Sequence, residues 1–265
     1  MNRIIFDGAI GDTICVSSIF KILHDSTNSN LEIYSNFPEI FYNNPYISNS
    51  YIRDGLQPNL EPCRVYSCNI IKHYLTQLNL EYDTSIKSKI FLTEDEINIA
   101  KEELKEFDGY KKIAVCLYSS ADSRDLKYEY IEELLFKAKQ LNTKLIFFGT
   151  KIPNDYSNLF DKIIVGEYAR GLRNVFSLMN ECDLYVGVDT GLFHAAAALD
   201  IPQVVFFRNN GCSNNMYKNT YSIDSNIKCS QYCCSPGVAT CAEQMRCMDN
   251  FDLNKYYEII NKLIR

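Results

Sequence analysis

The chain has 265 residues, enough for one or two domains, and 46% of them are hydrophobic, so it can bury a substantial core. Its net charge is −6 with no long basic run, which argues against a nucleic-acid-binding protein. No apolar run reaches transmembrane length, and Asp7 and Asp12 interrupt the N-terminus too early for a secretory signal, so a cytoplasmic enzyme is the expectation.

Arg3 to Phe6 reads as an opening strand. A glycine-bearing loop, Asp7 to Thr13, leads into a helix from Ile14 to His24, with Ile14, Ile19, Ile22 and Leu23 near helical spacing. This strand–loop–helix start lacks the G-x-G-x-x-G spacing, so dinucleotide binding is not indicated. Asp12 stands where the loop enters the helix. It could cap the helix, or serve as a general base aimed into the cleft above the sheet. Leu31 to Tyr34 and Ser50 to Arg53 are further strands, and Asn69 to Leu80 an amphipathic helix. Lys89 to Leu92 reads as a strand, and Thr93 with Glu96 forms a capping box for a helix from Glu94 to Phe107. Asp108-Gly109 closes that helix and marks a domain boundary.

The second half alternates more cleanly. Strands are expected at Lys112–Tyr118, Lys144–Phe148, Ile163–Val165, Leu184–Val188 and Gln203–Phe207. Helices are expected at Tyr128–Leu141, Leu172–Asn180, Leu192–Leu199 and Phe251–Ile264. The stretch from Asp183 to Phe207 is strand, tight turn, helix, strand, a βαβ unit that implies a parallel sheet. Its turn, Asp189-Thr190-Gly191, follows a strand's carboxyl end, where open α/β sheets place their ligands. Gly191 allows close backbone approach, the helix start favours an anion such as phosphate, and Thr190 is a candidate N-cap. His194 adds a ring donor, and Asp189 suits capping backbone amides or orienting His194. An ordinary strand–helix turn with a buried histidine would read the same way. The loop from Ser119 to Lys127 follows another strand end and carries Arg124 and Lys127, a candidate pyrophosphate clamp or a solvated charged loop.

Of eleven cysteines, Cys229, Cys233, Cys234, Cys241 and Cys247 fall within nineteen residues. Four thiolates from such a segment could hold a structural zinc or iron; the alternative is reduced thiols or one local disulfide. Cys15, Cys116 and Cys182 lie in apolar elements and read as core, and Cys63 and Cys68 as partly buried thiols.

The ordered set has a family likeness. DTGLFHAAAALDIPQVVFF, preceded by LRNVFSLMNECDLYVGV, closely resembles the family 9 glycosyltransferases, the heptosyltransferase group of lipopolysaccharide assembly. IIFDGAIGDTICVSSIFKIL resembles that family's opening strand, loop and first helix. IFLTEDEINIAKEEL resembles the segment before its second domain, and CMDNFDLNKYYEIINKLI its ending. SRDLKYEYIEELL is similar to its R-x-x-K-W element, with Tyr128 in place of tryptophan.

The resemblance implies a GT-B fold, two Rossmann-like domains facing across a cleft. Residues 1–108 would form the acceptor side, and residues 109–265 the nucleotide-sugar side. It implies an inverting transfer whose chemistry needs no metal, with Asp12 as base and Lys127 stabilising the departing diphosphate. Arg124, Asp189, Thr190, Gly191, Leu192 and His194 would form the donor site. The donor would be an ADP-sugar first, and the acceptor a glycan, lipid-linked or protein hydroxyl, with peripheral membrane association through a lipid-linked acceptor. Iron-binding cysteines occur in a branch that it resembles. A degenerate, non-catalytic nucleotide-sugar binder or assembly subunit, and a GT-B-like sugar-nucleotide epimerase, are the competing expectations.

Overall fold

The computed structural model describes residues 2–63, 69–81, 83, 85–119, 124–151, 154–165, 171–207, 217–225, 248 and 250–265. Two all-parallel sheets organise them. The first holds β1 (Arg3–Phe6), β2 (Leu31–Ser35) and β3 (Ile47–Ile52), in that order. The second holds β4 (Lys111–Cys116), β5 (Thr143–Gly149), β6 (Lys162–Val165), β7 (Leu184–Val188), β8 (Gln203–Phe207) and β9 (Thr220–Asp224). Its order is β6-β5-β4-β7-β8-β9. The chain builds outward from β4 in one direction, then crosses back to lay β7, β8 and β9 on the other side. The strand order therefore reverses between β4 and β7, the place where doubly wound sheets open a ligand crevice at their carboxyl ends.

The helices are α1 (Ile10–Val16), α2 (Phe20–Thr27), α3 (Ile70–Gln77), α4 (Glu94–Glu103), α5 (Tyr128–Lys139), α6 (Leu172–Asn180), α7 (Gly191–Ala198) and α8 (Leu253–Ile264). Strand side chains alternate between two cores, as a period of two requires. Ala114, Cys116, Tyr185, Val205 and Phe207 face a core shared with Ile4, Phe6, Ile14 and Phe193, which joins the two halves of the chain. Val115, Phe147, Val186, Val204 and Phe206 face the opposite core with Leu134, Leu135, Tyr256 and Ile260. With both faces covered, the central strands β7 and β8 need the nearly continuous apolar runs that made them readable. Each fully buried phenylalanine here contributes about 2–3 kcal/mol of transfer free energy.

Several expectations shift. Helix α1 begins at Ile10, inside the stretch expected to be loop, because Ile10 itself is buried and draws the chain into the helix early. A 3-10 turn, Ser17–Ile19, separates α1 from α2; Ser17 and Ser18 donate to the carbonyls of Ile14 and Cys15, a local competition with the helix ladder. The helix from Glu94 gives way to a 3-10 turn at Lys105–Phe107. Lys89–Leu92 forms no strand of either sheet; Ile90 donates to the carbonyl of Ala198 as the chain passes from one sheet to the other. Strand β9 had no sequence signal.

The capping box of Thr93 and Glu96 is present, and Glu96 does more than cap. Its carboxylate accepts Arg173 Nε at 2.7 Å and an Arg173 terminal nitrogen at 2.6 Å, while the same nitrogen donates to the Phe91 carbonyl. This fork ties the crossing segment to α6, and it holds the Glu96 carboxyl below its ordinary range.

Cys15, Cys116 and Cys182 are buried in the core and Cys63 is partly buried, as expected. Cys68 and the cluster of Cys229, Cys233, Cys234, Cys241 and Cys247 lie outside the described residues.

Candidate active site

Two helix starts meet between the sheets. α1 rises from β1 and α7 from β7, and they touch at Gly11 and Gly191. A Cβ on Gly11 would stand 2.7 Å from His194 Cδ2, and one on Gly191 would stand 3.0 Å from Ile10 Cγ2. A side chain at Gly11 would force the His194 ring to shift, and one at Gly191 would press on Ile10, so glycine at both positions lets the two helix starts approach closely.

Asp12 lies in the first turn of α1, directly after the contact residue Gly11. It is not the N-cap: Ala9 holds that position, and the Asp12 carboxylate instead accepts the Ala9 N–H from the third helical position. The Tyr74 hydroxyl, from α3, donates to Asp12 Oδ1 at 3.4 Å. Burial raises the Asp12 pKa above its ordinary value; the Ala9 and Tyr74 hydrogen bonds and the charge of Arg124 oppose the rise, and Asp189 adds to it. Arg124 and Asp189 belong to the second half of the chain, so Asp12 is electrostatically coupled across the contact.

The turn after β7 carries Asp189, buried with its carbonyl accepting Arg124 Nη1 at 3.0 Å. The same nitrogen is 3.7 Å from Asp189 Oδ2. Arg124 reaches this turn from beyond β4, where Ser119 N–H donates to Asp125 and Leu126 is buried with its N–H on the Leu117 carbonyl. The two loops that flank the sheet's reversal are thus joined by one guanidinium.

Thr190 occupies the N-cap position of α7 with extended backbone, but its hydroxyl does not cap. It turns back to the buried Tyr185 hydroxyl at 3.4 Å, with Cys116 Sγ at 3.8 Å. The first-turn amides of Gly191 and Leu192 therefore receive no side-chain cap from Thr190. Lys127 stands half-buried at the N-cap position of α5, and the exposed Tyr128 beside it packs against Tyr156 with ring centroids 5.0 Å apart and planes tilted by 42°. Residues 120–123 of that loop lie outside the described residues.

His194 is buried, its Nε2 3.9 Å from Asp189 Oδ1 and its Nδ1 2.6 Å from the Tyr217 hydroxyl and 3.2 Å from Cys15 Sγ. Burial, reinforced by Arg124 and opposed by Asp189, pushes its pKa down from 6.5 to about 4. The unfolded chain therefore binds a proton between these values that the folded chain refuses. Stability rises with pH across that window, and the contribution is lost as pH falls through it. The expected size is ~3 kcal/mol between pH 7 and pH 4. Urea unfolding at both pH values checks this: the acid loss in wild type should exceed that of His194→Gln by about this amount.

Sequence reasoning brought Asp12, Arg124, Asp189, Gly191 and His194 to one place, and missed Tyr74, Cys15 and Tyr217. Tyr74 had a signal. It shares a helix face with Ile70, Ile71 and Leu75, and a buried tyrosine needs a partner for its hydroxyl. Tyr217 lies between strands in no predicted element. A cavity of about 430 Å³ lined by Tyr110, Lys112, Asn180 and Asp183 opens at the amino end of the second sheet, away from these groups.

Two parallel-sheet halves, joined through facing helix starts at the sheet's switch point, make up the GT-B architecture of sugar-transferring enzymes. The chain belongs to glycosyltransferase family 9 (heptosyltransferase), whose profile matches residues 68–245, and it is a glycosyltransferase. No curated protein matches the chain. Among solved structures, it is similar to the ADP-heptose lps heptosyltransferase II of E. coli, with 12% identity, a TM-score of 0.72, and 100% of this chain and 98% of that one covered. It is also similar to the iron-containing dodecameric glycosyltransferase TibC from enterotoxigenic E. coli H10407, with 12% identity, a TM-score of 0.72, and coverage of 99% and 76%. The E. coli heptosyltransferase WaaC with ADP aligns at 11% identity and a TM-score of 0.64, over 98% and 99%. At these identities the likeness speaks for the fold.

Proposed function

We propose that the chain is an inverting glycosyltransferase that moves a sugar, heptose first, from an ADP-sugar to a hydroxyl of a lipopolysaccharide-type glycan. The observation that carries this reading is the convergence of Asp12 from one half with Arg124, Asp189 and the start of α7 from the other. Asp12 takes the acceptor's hydroxyl proton. The acceptor oxygen attacks the anomeric carbon from the face opposite the diphosphate, the new glycosidic bond forms, and the old carbon–oxygen bond breaks with its electron pair leaving on the diphosphate. A carboxylate with a raised pKa is matched to the first task. Arg124, Lys127 and the first-turn amides of Gly191 and Leu192 stabilise charge on the departing group, and Thr190 and His194 shape the turn. In this reading residues 1–108 hold the acceptor and residues 109–265 the donor.

The same reading places the enzyme in the cytoplasm, at the membrane surface when the acceptor is lipid-linked. Among the described residues no helix is long and apolar enough to cross a membrane. The five clustered cysteines are proposed to hold a structural zinc or iron, a reading supported by their density and by the iron-containing TibC.

The testing experiment is a thermal-shift titration with ADP, ADP-heptose and other nucleotide-sugars, with zinc and iron content measured on the same sample. Donor at a hundred times its dissociation constant should stabilise the fold by about 2.7 kcal/mol. Addition of a lipid-linked glycan acceptor should then release ADP. Stabilisation without release on any acceptor would favour the non-catalytic binder, and release of product with no acceptor the epimerase.

A further inference from the structure

Tyr217 plays no part in the chemistry above, yet it is built firmly against the site. Its backbone N–H donates to Thr220 Oγ1 at 3.2 Å, Thr220 Oγ1 donates to Gln203 Oε1 at 2.9 Å, and Gln203 Nε2 donates to the Phe193 carbonyl at 3.0 Å. Thr220 and Gln203 are buried. This polar chain anchors Tyr217 to α7 at the residue before His194. The tyrosine ring packs on Phe193 with centroids 5.4 Å apart and meets the His194 ring edge-on at 87°. Aim is what such anchoring fixes, and the hydroxyl is aimed at His194 Nδ1, 2.6 Å away.

The proton arithmetic decides what that hydroxyl does. Burial keeps the imidazole neutral and pushes the Tyr217 phenol and the Cys15 thiol above their ordinary values, so all three groups are neutral around pH 7. A neutral imidazole carries one N–H and one lone pair. A proton on Nδ1 would turn the Nε2 lone pair towards the Asp189 carboxylate, and a proton on Nε2 turns a donor towards it. The second arrangement makes Nδ1 an acceptor. Cys15 Sγ lies 3.2 Å from both Nδ1 and the tyrosine oxygen, so its S–H can close the triangle by donating to Tyr217.

We propose that Tyr217 is a positioning residue: its hydroxyl donates to His194 Nδ1 and so fixes the histidine proton on Nε2, facing Asp189 and the turn that opens α7. Asp189 is thereby held between His194 and Arg124, and Arg124 keeps its place over the turn. The consequence for ligand binding rests on the donor-site reading; the tautomer does not.

The test is nitrogen-15 NMR of protein labelled at histidine. There are three histidines, and H24Q and H73Q identify the resonances of His194. Wild type should show His194 as the Nε2–H tautomer, unchanged from pH 5.5 to pH 8. Y217F, which keeps the ring, should admit the Nδ1–H tautomer and weaken ADP binding by about tenfold in calorimetry. C15A should leave the tautomer as it is. An Nδ1–H histidine in wild type, an unchanged tautomer in Y217F, or loss of the tautomer in C15A instead of Y217F would each overturn the proposal. Should Y217F shift the tautomer while ADP binds neither protein, the positioning role stands and the donor-site reading falls.

Discussion

Asp12→Asn should lower kcat for sugar transfer by about 10²–10⁴-fold, the range that a positioned general base supplies. The substitution keeps the side chain's shape and a carbonyl oxygen able to accept the Ala9 N–H, so helix α1 should start as before. Donor affinity should change little, because in this reading the carboxylate meets the acceptor's proton and not the diphosphate. A single-turnover assay with calorimetry of ADP binding separates the two quantities. Retention of full transfer activity by Asp12→Asn would remove the base from the mechanism. In wild type the acidic limb of kcat/KM should lie above the ordinary aspartate value of 3.8, because burial raises this carboxyl and it must be ionised to accept a proton.

Arg124→Gln should act on activity and stability together, and a second substitution should pull them apart. Losing the guanidinium removes a positive charge from the expected diphosphate position, for which a drop of about 10²–10³-fold in kcat is the typical scale. It also leaves Asp189 buried without the cation 3.7 Å from its carboxylate. The stability cost should be about 1–3 kcal/mol. Asp189→Asn in the Arg124→Gln background removes the stranded charge, so the double variant should regain most of that stability and none of the activity. If activity returned with stability, Arg124 would be acting only through the fold.

The central strands β7 and β8 of the second sheet were legible in the sequence because every residue of them is buried and nearly all must be apolar, whereas the edge strand β9 has partly exposed positions and carries no such run. Leu184–Val188 and Gln203–Phe207 fall where their apolar runs fall. The first sheet was harder. One face of β1 and β2 carries Ile4, Phe6, Leu31 and Ile33 into the core, and the other carries Arg3 stacked on Tyr34. β3 begins earlier than its apolar signal suggests because Ile47, Asn49 and Ser50 pair through backbone, which no side-chain pattern records. Lys89–Leu92 misled for the converse reason: an apolar stretch used to cross between cores needs no neighbouring strand. In the candidate site, Asp189 and His194 were singled out by their place after a strand, whereas the hydroxyl of Thr190 was assigned to its own helix. The sheet behind it offered the Tyr185 hydroxyl instead, a partner five residues back that helix-start rules do not consider. Tyr217 and Cys15 reach His194 from opposite halves of the chain, and only the folded arrangement joins them.

The reversal of strand order has a kinetic meaning as well. β4 pairs with β7 only after about seventy residues of intervening chain have been placed, a closure that costs entropy before any contact repays it. Local steps such as β4–β5 and β7–β8 can form earlier, each across a single helix. The crevice that gathers Arg124, Asp189 and Asp12 is therefore expected to assemble late on the folding route. Substitutions there should leave refolding rates nearly untouched and express themselves in how fast the native state opens.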